Sequence, residues 1–349
     1  MSSSPDLPGR MRAAVQHAPG ELRLEERPVP RPGPGEVLVR VRAAGICGSD
    51  LHFWKYAVYG AGVILGHEIA GEIASLGEGV GGLRPGQLGV VYAGIPCGRC
   101  LRCREGLSHY CQEGHSLGTG GPFGGLGEYL LAPAESFLPA PEGSDPAVLT
   151  FCEPLANGIR CLDQPELREA RSALVIGGGP IGLSCLIAAR RAGVERIWLV
   201  EGRARRREAA RALGAERVLD PVDDEVEATV EAAFPRGPDL IVEAVGLPET
   251  IQSSFRLARP GGSVLLIGVC LGNIEVMPVS WMLKELTIRS TLGCSRDEQR
   301  RALAWVVEGD PDARPLVTRR IGLDEVPGAM IDLEGGADEI KIVVEHGRR

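Results

Sequence analysis

Four cysteines stand close together in the first third of the chain, at spacings that suit a single metal ion. Two residues separate each of the first three, and seven separate the last two, in the order Cys97, Cys100, Cys103, Cys111. Four thiolates on one loop match the closed tetrahedral shell of a structural zinc ion. Ordinary buried cysteines are the alternative, but four at these spacings rarely arise by chance. The segment therefore predicts a structural zinc site.

A second set of metal-binding residue types is spread more widely. Cys47 lies in a Gly-Ile-Cys-Gly-Ser-Asp-Leu-His segment, His67 and Glu68 follow a glycine, and Glu153 precedes a proline. Thiolate, imidazole and carboxylate are the ligands of a catalytic zinc, which keeps one position open. Each residue also has an ordinary alternative: a core thiol for Cys47, a satisfied polar group for His67 and a surface acid for Glu68. Spacing alone leaves both interpretations open.

A glycine-rich turn between a predicted strand and a predicted helix indicates a nucleotide site. Its sequence is Gly177-Gly178-Gly179-Pro180-Ile181-Gly182. In such a turn Gly177 permits the tight bend, Gly179 lets a pyrophosphate approach the backbone, and Gly182 lets helix and strand pack closely. Free N–H groups at the helix start favour the phosphate charge. A plain turn is the alternative, but the strand–turn–helix context predicts dinucleotide binding at these residues, Pro180 and Ile181 included.

The acid that follows bears on which dinucleotide is bound. Glu201 ends the next predicted strand, 19 residues after Gly182, where it can accept hydrogen bonds from ribose hydroxyls and repel a 2′-phosphate. An arginine-rich run follows, and an arginine here can accommodate the 2′-phosphate of NADP. Arg203 and Arg206 belong to this run, for which a solvated helix face is the alternative. We predict NAD as the preferred cofactor and NADP as the alternative, with Arg203 most able to reverse the preference.

The first part of the chain consists of short apolar runs separated by glycine and proline. Residues 36–41 alternate as a strand does, and 69–73 and 87–91 are further short strands. This pattern predicts an irregular β-rich domain over residues 11–164. Residues 1–10 are polar and contain proline, and they are predicted to be a disordered leader.

Strands and helices alternate from residue 165 to residue 297. The predicted strands are 173–176, 196–200, 239–243 and 263–267, and the predicted helices are 180–192 and 205–213. Such alternation indicates an α/β fold with a doubly wound parallel sheet. Residues 298–349, which end in Lys341-Ile342-Val343-Val344, are predicted to return to the first domain.

Composition excludes several classes of protein. The 349 residues are 44% hydrophobic and 24% charged, with a formal net charge of −8, and the acidic balance disfavours nucleic acid or an anionic membrane as partner. No run approaches the about 20 apolar residues that span a bilayer, so we expect a cytoplasmic protein. Stable disulfides are rare in that compartment. The cysteines outside the two metal sets are therefore predicted to be buried small apolar residues: Cys152, Cys161, Cys185, Cys270 and Cys294.

Taken in order, these motifs resemble those of the zinc-containing medium-chain dehydrogenases and reductases, the alcohol dehydrogenase superfamily, from Met11 to about Glu345. The segment 123–129 also resembles the family's Gly-Gly-x-x-Glu-Tyr strand. The polyol, threonine and butanediol dehydrogenase branch is most similar, because Glu153 stands where alcohol dehydrogenases proper have a second cysteine. The resemblance implies a GroES-like β-rich catalytic domain plus a Rossmann domain, with the active site in the cleft.

The resemblance also implies roles for individual residues. Cys47 and His67 match the usual ligands of a catalytic zinc, while Glu68 and Glu153 match carboxylates that bind it directly or through its water, and which one binds directly stays open. Asp50 matches an acid that orients the histidine ligand. Ser49 and His52 match a proton relay. Gly268 and Val269 lie where relatives contact nicotinamide, and Val245 is a further predicted cofactor contact.

The implied activity is hydride transfer between a secondary alcohol and NAD, with two zinc ions per chain. The alcohol would be a polyol, diol, amino alcohol, sugar or cyclitol. Sorbitol-type relatives carry an Arg-Tyr pair that contacts the polyol, and the stretch 290–294 reads Ser-Thr-Leu-Gly-Cys instead. The alternatives are an NADP-dependent biosynthetic carbonyl reductase of the same family and a catalytically silent nucleotide-binding zinc protein. Relatives imply a homodimer or homotetramer without nucleic acid or membrane partners.

Overall fold

The computed structural model describes residues 7–164, 169–309 and 313–348. The chain divides into two compact units, Met1–Glu153 with Ser295–Arg349, and Pro154–Cys294. The first division thus falls after Glu153, earlier than the predicted boundary near residue 165. The tail after Cys294 belongs to the same unit as the amino-terminal half. No helix in the described part of the chain has the length and apolar character needed to cross a membrane.

The elements of both units are numbered in chain order. The strands are β1 (Arg10–Ala18), β2 (Glu21–Pro28), β3 (Glu36–Gly45), β4 (Glu68–Leu76), β5 (Leu88–Val91), β6 (Gly94–Ile95), β7 (His115–Ser116), β8 (Tyr129–Pro133), β9 (Phe137–Pro139), β10 (Ser172–Ile176), β11 (Arg196–Val200), β12 (Arg217–Leu219), β13 (Leu240–Glu243), β14 (Ser263–Leu266), β15 (Thr287–Ser290), β16 (Val317–Ile321) and β17 (Lys341–Glu345). The helices are α1 (Gly48–Tyr56), α2 (Leu101–Arg104), α3 (Pro146–Leu149), α4 (Cys152–Leu162), α5 (Pro180–Arg191), α6 (Ala204–Ala212), α7 (Val226–Ala233), α8 (Pro248–Leu257), α9 (Pro278–Lys284), α10 (Arg296–Glu308) and α11 (Val326–Glu334).

The start of the described chain corrects one prediction. Residues 1–6 of the predicted leader lie outside the described residues. Leu7 packs against the apolar core of the first unit, and β1 begins at Arg10. Residues 7–10 are therefore part of the fold, because an apolar residue and a strand pairing lie within a segment whose composition is otherwise polar.

The first unit is built on a sheet in the order β16-β17-β3-β4-β5-β9, with β8 also paired to β3. Strand β3 is buried along most of its length, so its apolar residues pack on both faces of the sheet. Strand β17 pairs antiparallel with the end of β3, with Val343 opposite Gly45. The last strand of the chain therefore lies beside the segment that leads into Cys47.

The second unit is a six-stranded parallel sheet in the order β12-β11-β10-β13-β14-β15. The strands buried at its centre read as short continuous apolar runs, as expected when helices cover both faces. The order reverses between β10 and β13, which is the arrangement of a Rossmann domain. Ligands of such sheets bind beyond the carboxyl ends of the strands at this reversal. The predicted α/β class with a doubly wound parallel sheet is confirmed.

Candidate active site and metal centres

The four-cysteine lobe has the dimensions of a tetrahedral zinc site. All four sulfur atoms lie within 4.8 Å of one another. The Sγ–Sγ separations are 3.5 Å for Cys100–Cys103, 3.8 Å for Cys100–Cys111 and 3.9 Å for Cys97–Cys103. Zinc–sulfur bonds of about 2.3 Å in a tetrahedron place the sulfurs about 3.8 Å apart. The lobe therefore fits one zinc ion with four thiolate ligands.

Backbone N–H groups prepare these sulfurs to carry negative charge. The Cys97 N–H donates to Cys111 Sγ and the Cys100 N–H donates to Cys97 Sγ, both at 3.3 Å. The bond from Cys97 lowers the pKa of Cys111 to about 6. Burial, followed by hydrogen bonds to the neighbouring thiols, raises the pKa of Cys103 to about 12. Metal binding would displace the protons that remain, so the zinc affinity of the lobe is expected to depend on pH.

The second group forms where β3, α1 and β4 meet. Cys47 precedes α1, His67 precedes β4, and Glu68 is the first residue of β4. Pairing of Gly45 with Glu68 aligns the two strands. One ligand atom from each of Cys47, His67 and Glu68 lies within 4.8 Å of the others. A Cβ on Gly45 would lie 1.9 Å from Glu68 Oε2, so only glycine at that position leaves room for the carboxylate.

Asp50 connects the cysteine and the histidine of this group. Its Oδ2 accepts a hydrogen bond of 2.9 Å from the Cys47 N–H, and its Oδ1 lies 3.4 Å from His67 Nδ1. Burial alone would lower the pKa of His67, but Asp50 and Cys47 raise it well above its ordinary value. Asp50 is therefore placed to pair with Nδ1 of the ring, which leaves the other ring nitrogen for a metal.

Sequence reasoning missed a buried cation in this group. Lys341 Nζ lies 2.5 and 2.6 Å from the two Glu68 oxygens and 3.2 Å from the Ile46 carbonyl. Both side chains are fully buried. Burial would lower the pKa of Lys341, yet Glu68, Cys47 and Glu153 raise it. The sequence signal for this buried cation was that Lys341 is directly followed by the apolar residues of a predicted strand.

The remaining predicted residues of this site lie on α4 and α1. Glu153 is in the first turn of α4. Among the described residues it is not a member of the 4.8 Å group, although its charge contributes to the raised pKa of Lys341. Ser49 and His52 lie three residues apart on α1, directly after Cys47, and both are partly exposed. Residues three apart share one helix face, so Ser49 and His52 lie on the same face of α1.

The glycine-rich turn of the second unit has the expected geometry. Gly177 has φ +102°, which favours glycine, and a Cβ on Gly182 would lie 1.9 Å from the Gly177 carbonyl oxygen. Helix α5 begins at Pro180 with Gly179 as its N-cap, and Ile181 follows in the first turn. Because a Cβ on Gly179 would meet only Arg206, at 3.6 Å, this face of the turn is open to a phosphate.

Glu201 is held against this turn. Its Oε2 accepts a hydrogen bond of 2.7 Å from the Gly178 N–H, and its Oε1 accepts one of 2.8 Å from the Arg203 N–H. Arg206 Nη1 lies 3.9 Å from Glu201 Oε2. Arg207 forms an ion pair of 2.7 Å with Asp220. The guanidinium of Arg206 thus lies beside both the acid and the turn.

Two further turns contain the other predicted cofactor contacts. Val245 follows β13, and Gly268 and Val269 follow β14. Val245 and Val269 are 41% and 44% exposed, which is unusual for valines at the end of a buried sheet. Gly246 has φ +82°, and a Cβ there would lie 2.4 Å from the Val269 carbonyl oxygen. The two turns are therefore in backbone contact and present apolar side chains at the carboxyl edge.

The remaining cysteines are buried with one exception. Cys152, Cys161, Cys185 and Cys294 are buried, as predicted, whereas Cys270 is partly exposed. The prediction for Cys270 was wrong because this residue lies in the loop after β14 rather than on a covered element. Its thiol donates to the Gly272 carbonyl at 3.6 Å.

Two family models match the chain. Residues 33–142 match the model of the alcohol dehydrogenase GroES-like domain, and residues 180–308 match that of the zinc-binding dehydrogenase. The chain is 33% identical to an L-threonine 3-dehydrogenase of Pyrococcus horikoshii over 76% of this chain and 78% of that protein. It is 30% identical to a sorbitol dehydrogenase of Bacillus subtilis over 93% and 94% of the two chains.

A solved structure shares the fold over nearly the whole length. A zinc-binding dehydrogenase of Sinorhizobium meliloti 1021, solved with NADP, has a TM-score of 0.88 and 31% identity. The match covers 97% of this chain and 100% of the other. The GroES-like and Rossmann assignments made from sequence are confirmed by these matches.

Proposed function

The chain belongs to the zinc-binding, GroES-like alcohol dehydrogenase family and is an oxidoreductase, and we propose that it oxidises a secondary alcohol flanked by hydroxyl or amino groups, with NAD as the preferred hydride acceptor. The observation that carries the proposal is the approach of Cys47, His67 and Glu68 to within 4.8 Å. This donor set, in a chain that also contains a dinucleotide fold with an acid at the end of its second strand, suits oxidation of an alcohol by hydride transfer.

Cys47, His67 and Glu68 would hold the catalytic zinc, and Cys97, Cys100, Cys103 and Cys111 the structural one. Bound catalytic zinc supplies a Lewis acid that stabilises negative charge on the alcohol oxygen. Asp50 orients His67 through Nδ1. Ser49 and His52 accept the proton of the alcohol and carry it along α1. NAD, when bound at the glycine-rich turn, would supply the hydride acceptor, and the protein would set distance and charge.

Glu68 is proposed as the directly bound carboxylate and Glu153 as one that acts through water. Glu68 is in the 4.8 Å group, and its pairing with Lys341 leaves lone pairs available on both oxygens. Glu68→Gln should therefore lose more catalytic zinc than Glu153→Gln, as read by metal analysis after dialysis. Equal retention of the catalytic zinc in both variants would contradict this order.

NAD is proposed over NADP because Glu201 stands at the turn with both oxygens engaged by backbone N–H groups. A carboxylate fixed there is placed for ribose hydroxyls and repels a 2′-phosphate. The substrate class rests on similarity to dehydrogenases named for threonine and sorbitol. A screen of diols, polyols, sugars, cyclitols and threonine, followed by absorbance of the reduced cofactor with NAD and with NADP, tests both parts. The proposal fails if simple monohydric alcohols are preferred or if kcat/KM is higher with NADP.

A second copy of the chain is proposed as the partner at the β15 edge. Strand β15 is at one end of the parallel sheet. Several large apolar residues around it are exposed: Met277, Val279, Met282, Leu283 and Leu292. An apolar face next to an open strand edge favours pairing of two chains. Sedimentation of the wild type and of Leu283→Lys tests this: a dimer that the variant weakens is expected, whereas a monomeric wild type overturns it.

A cytoplasmic location is proposed from the cysteines. None of the ten cysteines, all of which the structure describes, forms a disulfide, and thiols such as those of the four-cysteine lobe are kept reduced in that compartment.

A further inference from the structure

Glu243 is a buried acid in the dinucleotide unit that none of the roles above uses. It is the last residue of β13 and is completely buried. Its Oε1 accepts three hydrogen bonds, from the N–H groups of Val245 and Gly246, both at 2.9 Å, and from the Thr250 hydroxyl at 2.8 Å. One carboxylate oxygen thus organises the whole turn between β13 and α8.

The backbone of Glu243 holds the neighbouring turn as well. Its carbonyl oxygen accepts hydrogen bonds from the N–H groups of Ile267 at 2.9 Å and Gly268 at 3.0 Å. The turn after β13 and the turn after β14 are therefore fixed by the same residue. Because Gly246 packs against the Val269 backbone, a shift of one turn must move the other.

The second carboxylate oxygen of Glu243 is unfavourable for the stability of the fold. Glu243 Oε2 is buried and has no hydrogen-bond partner among the described residues. It lies 2.6 Å from where a Cβ on Gly268 would be, so it sits directly behind that glycine. A buried polar oxygen without a partner is unfavourable for folding, and such groups call for a functional explanation.

The position of the two turns identifies what they serve. In this strand order the adenosine half of a dinucleotide lies over β10 and β11, and the nicotinamide half lies over β13 and β14. Glu201, at the end of β11, is on the first side. Glu243, at the end of β13, is on the second. The two turns that Glu243 holds contain the exposed residues Val245 and Val269.

We infer that Glu243 is a positioning residue for the nicotinamide half of the cofactor. It ties the Val245–Gly246 turn to the Gly268–Val269 turn and thereby sets the wall against which the nicotinamide riboside packs. This inference rests on the proposed dinucleotide function of the unit. Glu243 acts through the two turns and does not itself exchange hydride or a proton.

The test compares NADH with ADP-ribose, which lacks the nicotinamide. Dissociation constants are measured by calorimetry on the zinc-loaded, full-length enzyme. Glu243→Ala removes the acceptor of the Val245 and Gly246 N–H groups and should raise the dissociation constant for NADH about tenfold or more. The dissociation constant for ADP-ribose should change by less than about threefold. Glu243→Gln keeps an acceptor at Oε1 and should recover most of the affinity for NADH.

Thr250 supplies a matched pair in case Glu243→Ala does not fold. Thr250→Val removes the hydroxyl and should weaken NADH binding by about threefold. Thr250→Ser keeps the hydroxyl and should bind NADH as the wild type does. Unchanged NADH binding in Glu243→Ala or, where that variant does not fold, in Thr250→Val overturns the inference. An equal loss for NADH and ADP-ribose also overturns it, since that result indicates a general structural role. Failure of the wild type to bind NADH or NADPH instead overturns the dinucleotide function itself.

Discussion

At the scale of single residues, the charge balance of the candidate active site depends on Lys341. Three acidic groups of the first unit, Cys47, Glu68 and Glu153, all raise its pKa. Its ammonium contacts both oxygens of Glu68 inside the core. A positive charge buried among these groups limits the negative charge that surrounds a zinc ion, so the residue influences both folding and the metal site.

Lys341→Met should destabilise the protein strongly. Removal of one partner of a buried ion pair leaves the other charge uncompensated and costs about 3–5 kcal/mol. The double variant Lys341→Met/Glu68→Gln should be more stable than the single variant, because no buried charge is left alone. Urea unfolding of the zinc-loaded proteins measures the three free energies. A single variant as stable as the wild type would show that the pair has no such role.

Lys341 also fixes the pH range of this stabilisation. Because its pKa is raised in the folded protein, the pair stabilises at pH values below the ordinary lysine pKa of about 10.4. The contribution is lost as the pH rises through the folded-state pKa. No loss from this pair is therefore expected between pH 6 and 9.

Glu201 should control the choice of dinucleotide. Glu201→Ala removes the charge that repels a 2′-phosphate, and Arg206, which lies 3.9 Å from that carboxylate, is placed to attract the phosphate. The ratio of kcat/KM for NAD to that for NADP should fall by about tenfold or more. Glu208→Ala, the same change at an exposed acid of α6, is the control and should leave the ratio unaltered. An unaltered ratio in both variants would remove Glu201 from the selectivity site.

At the scale of elements, the periodicity of the sequence predicted most of the second unit. Strand β11 has the predicted bounds, and α5 ends one residue before the predicted Ala192. Local apolar runs and glycine positions decide such elements. The Glu68–Lys341 pair joins residues that are 273 positions apart in the sequence, and Glu243 is important because of the backbone and side-chain groups that bind it. Neither follows from local sequence, because both depend on which strands become neighbours.

Asp145 joins three elements of the first unit. It caps α3 by accepting a hydrogen bond of 2.9 Å from the Ala147 N–H. It also pairs with Arg320 on β16 at 2.5 Å, and Arg320 pairs with Glu345 on β17 at 2.9 Å. The returning tail is thus attached to α3 beside the main sheet.

Asp145→Ala should therefore lower the free energy of unfolding by about 1 kcal/mol more than Asp145→Asn, which keeps the cap. Partial burial would raise the pKa of Asp145, but Arg320 and the Ala147 N–H lower it overall. The ion pair therefore stabilises the folded protein at pH values above the ordinary aspartate pKa of about 3.9. This stabilisation is lost as the pH falls through the lowered pKa of Asp145. Thermal unfolding of the wild type and Asp145→Asn from pH 7 to pH 3.5 checks this, and a stability difference that grows on acidification would contradict it.

At the scale of the whole molecule, two metal groups with different surroundings lie in the same unit. The four-cysteine lobe has only thiolate donors, while the group at Cys47 combines thiolate, imidazole and carboxylate. The first composition suits a closed structural site and the second an open catalytic one. We therefore expect two zinc ions per chain that contribute differently to activity.

The most direct measurement is zinc content together with turnover in the wild type and in Cys47→Ser, using the best alcohol from the substrate screen. The wild type should contain two zinc ions per chain. Cys47→Ser should retain the structural zinc and NADH binding but lose at least about a thousandfold in kcat, because the ligand set of the catalytic zinc is broken. Near-normal turnover by Cys47→Ser, or by wild-type enzyme stripped of metal, would contradict zinc-dependent alcohol oxidation at this site.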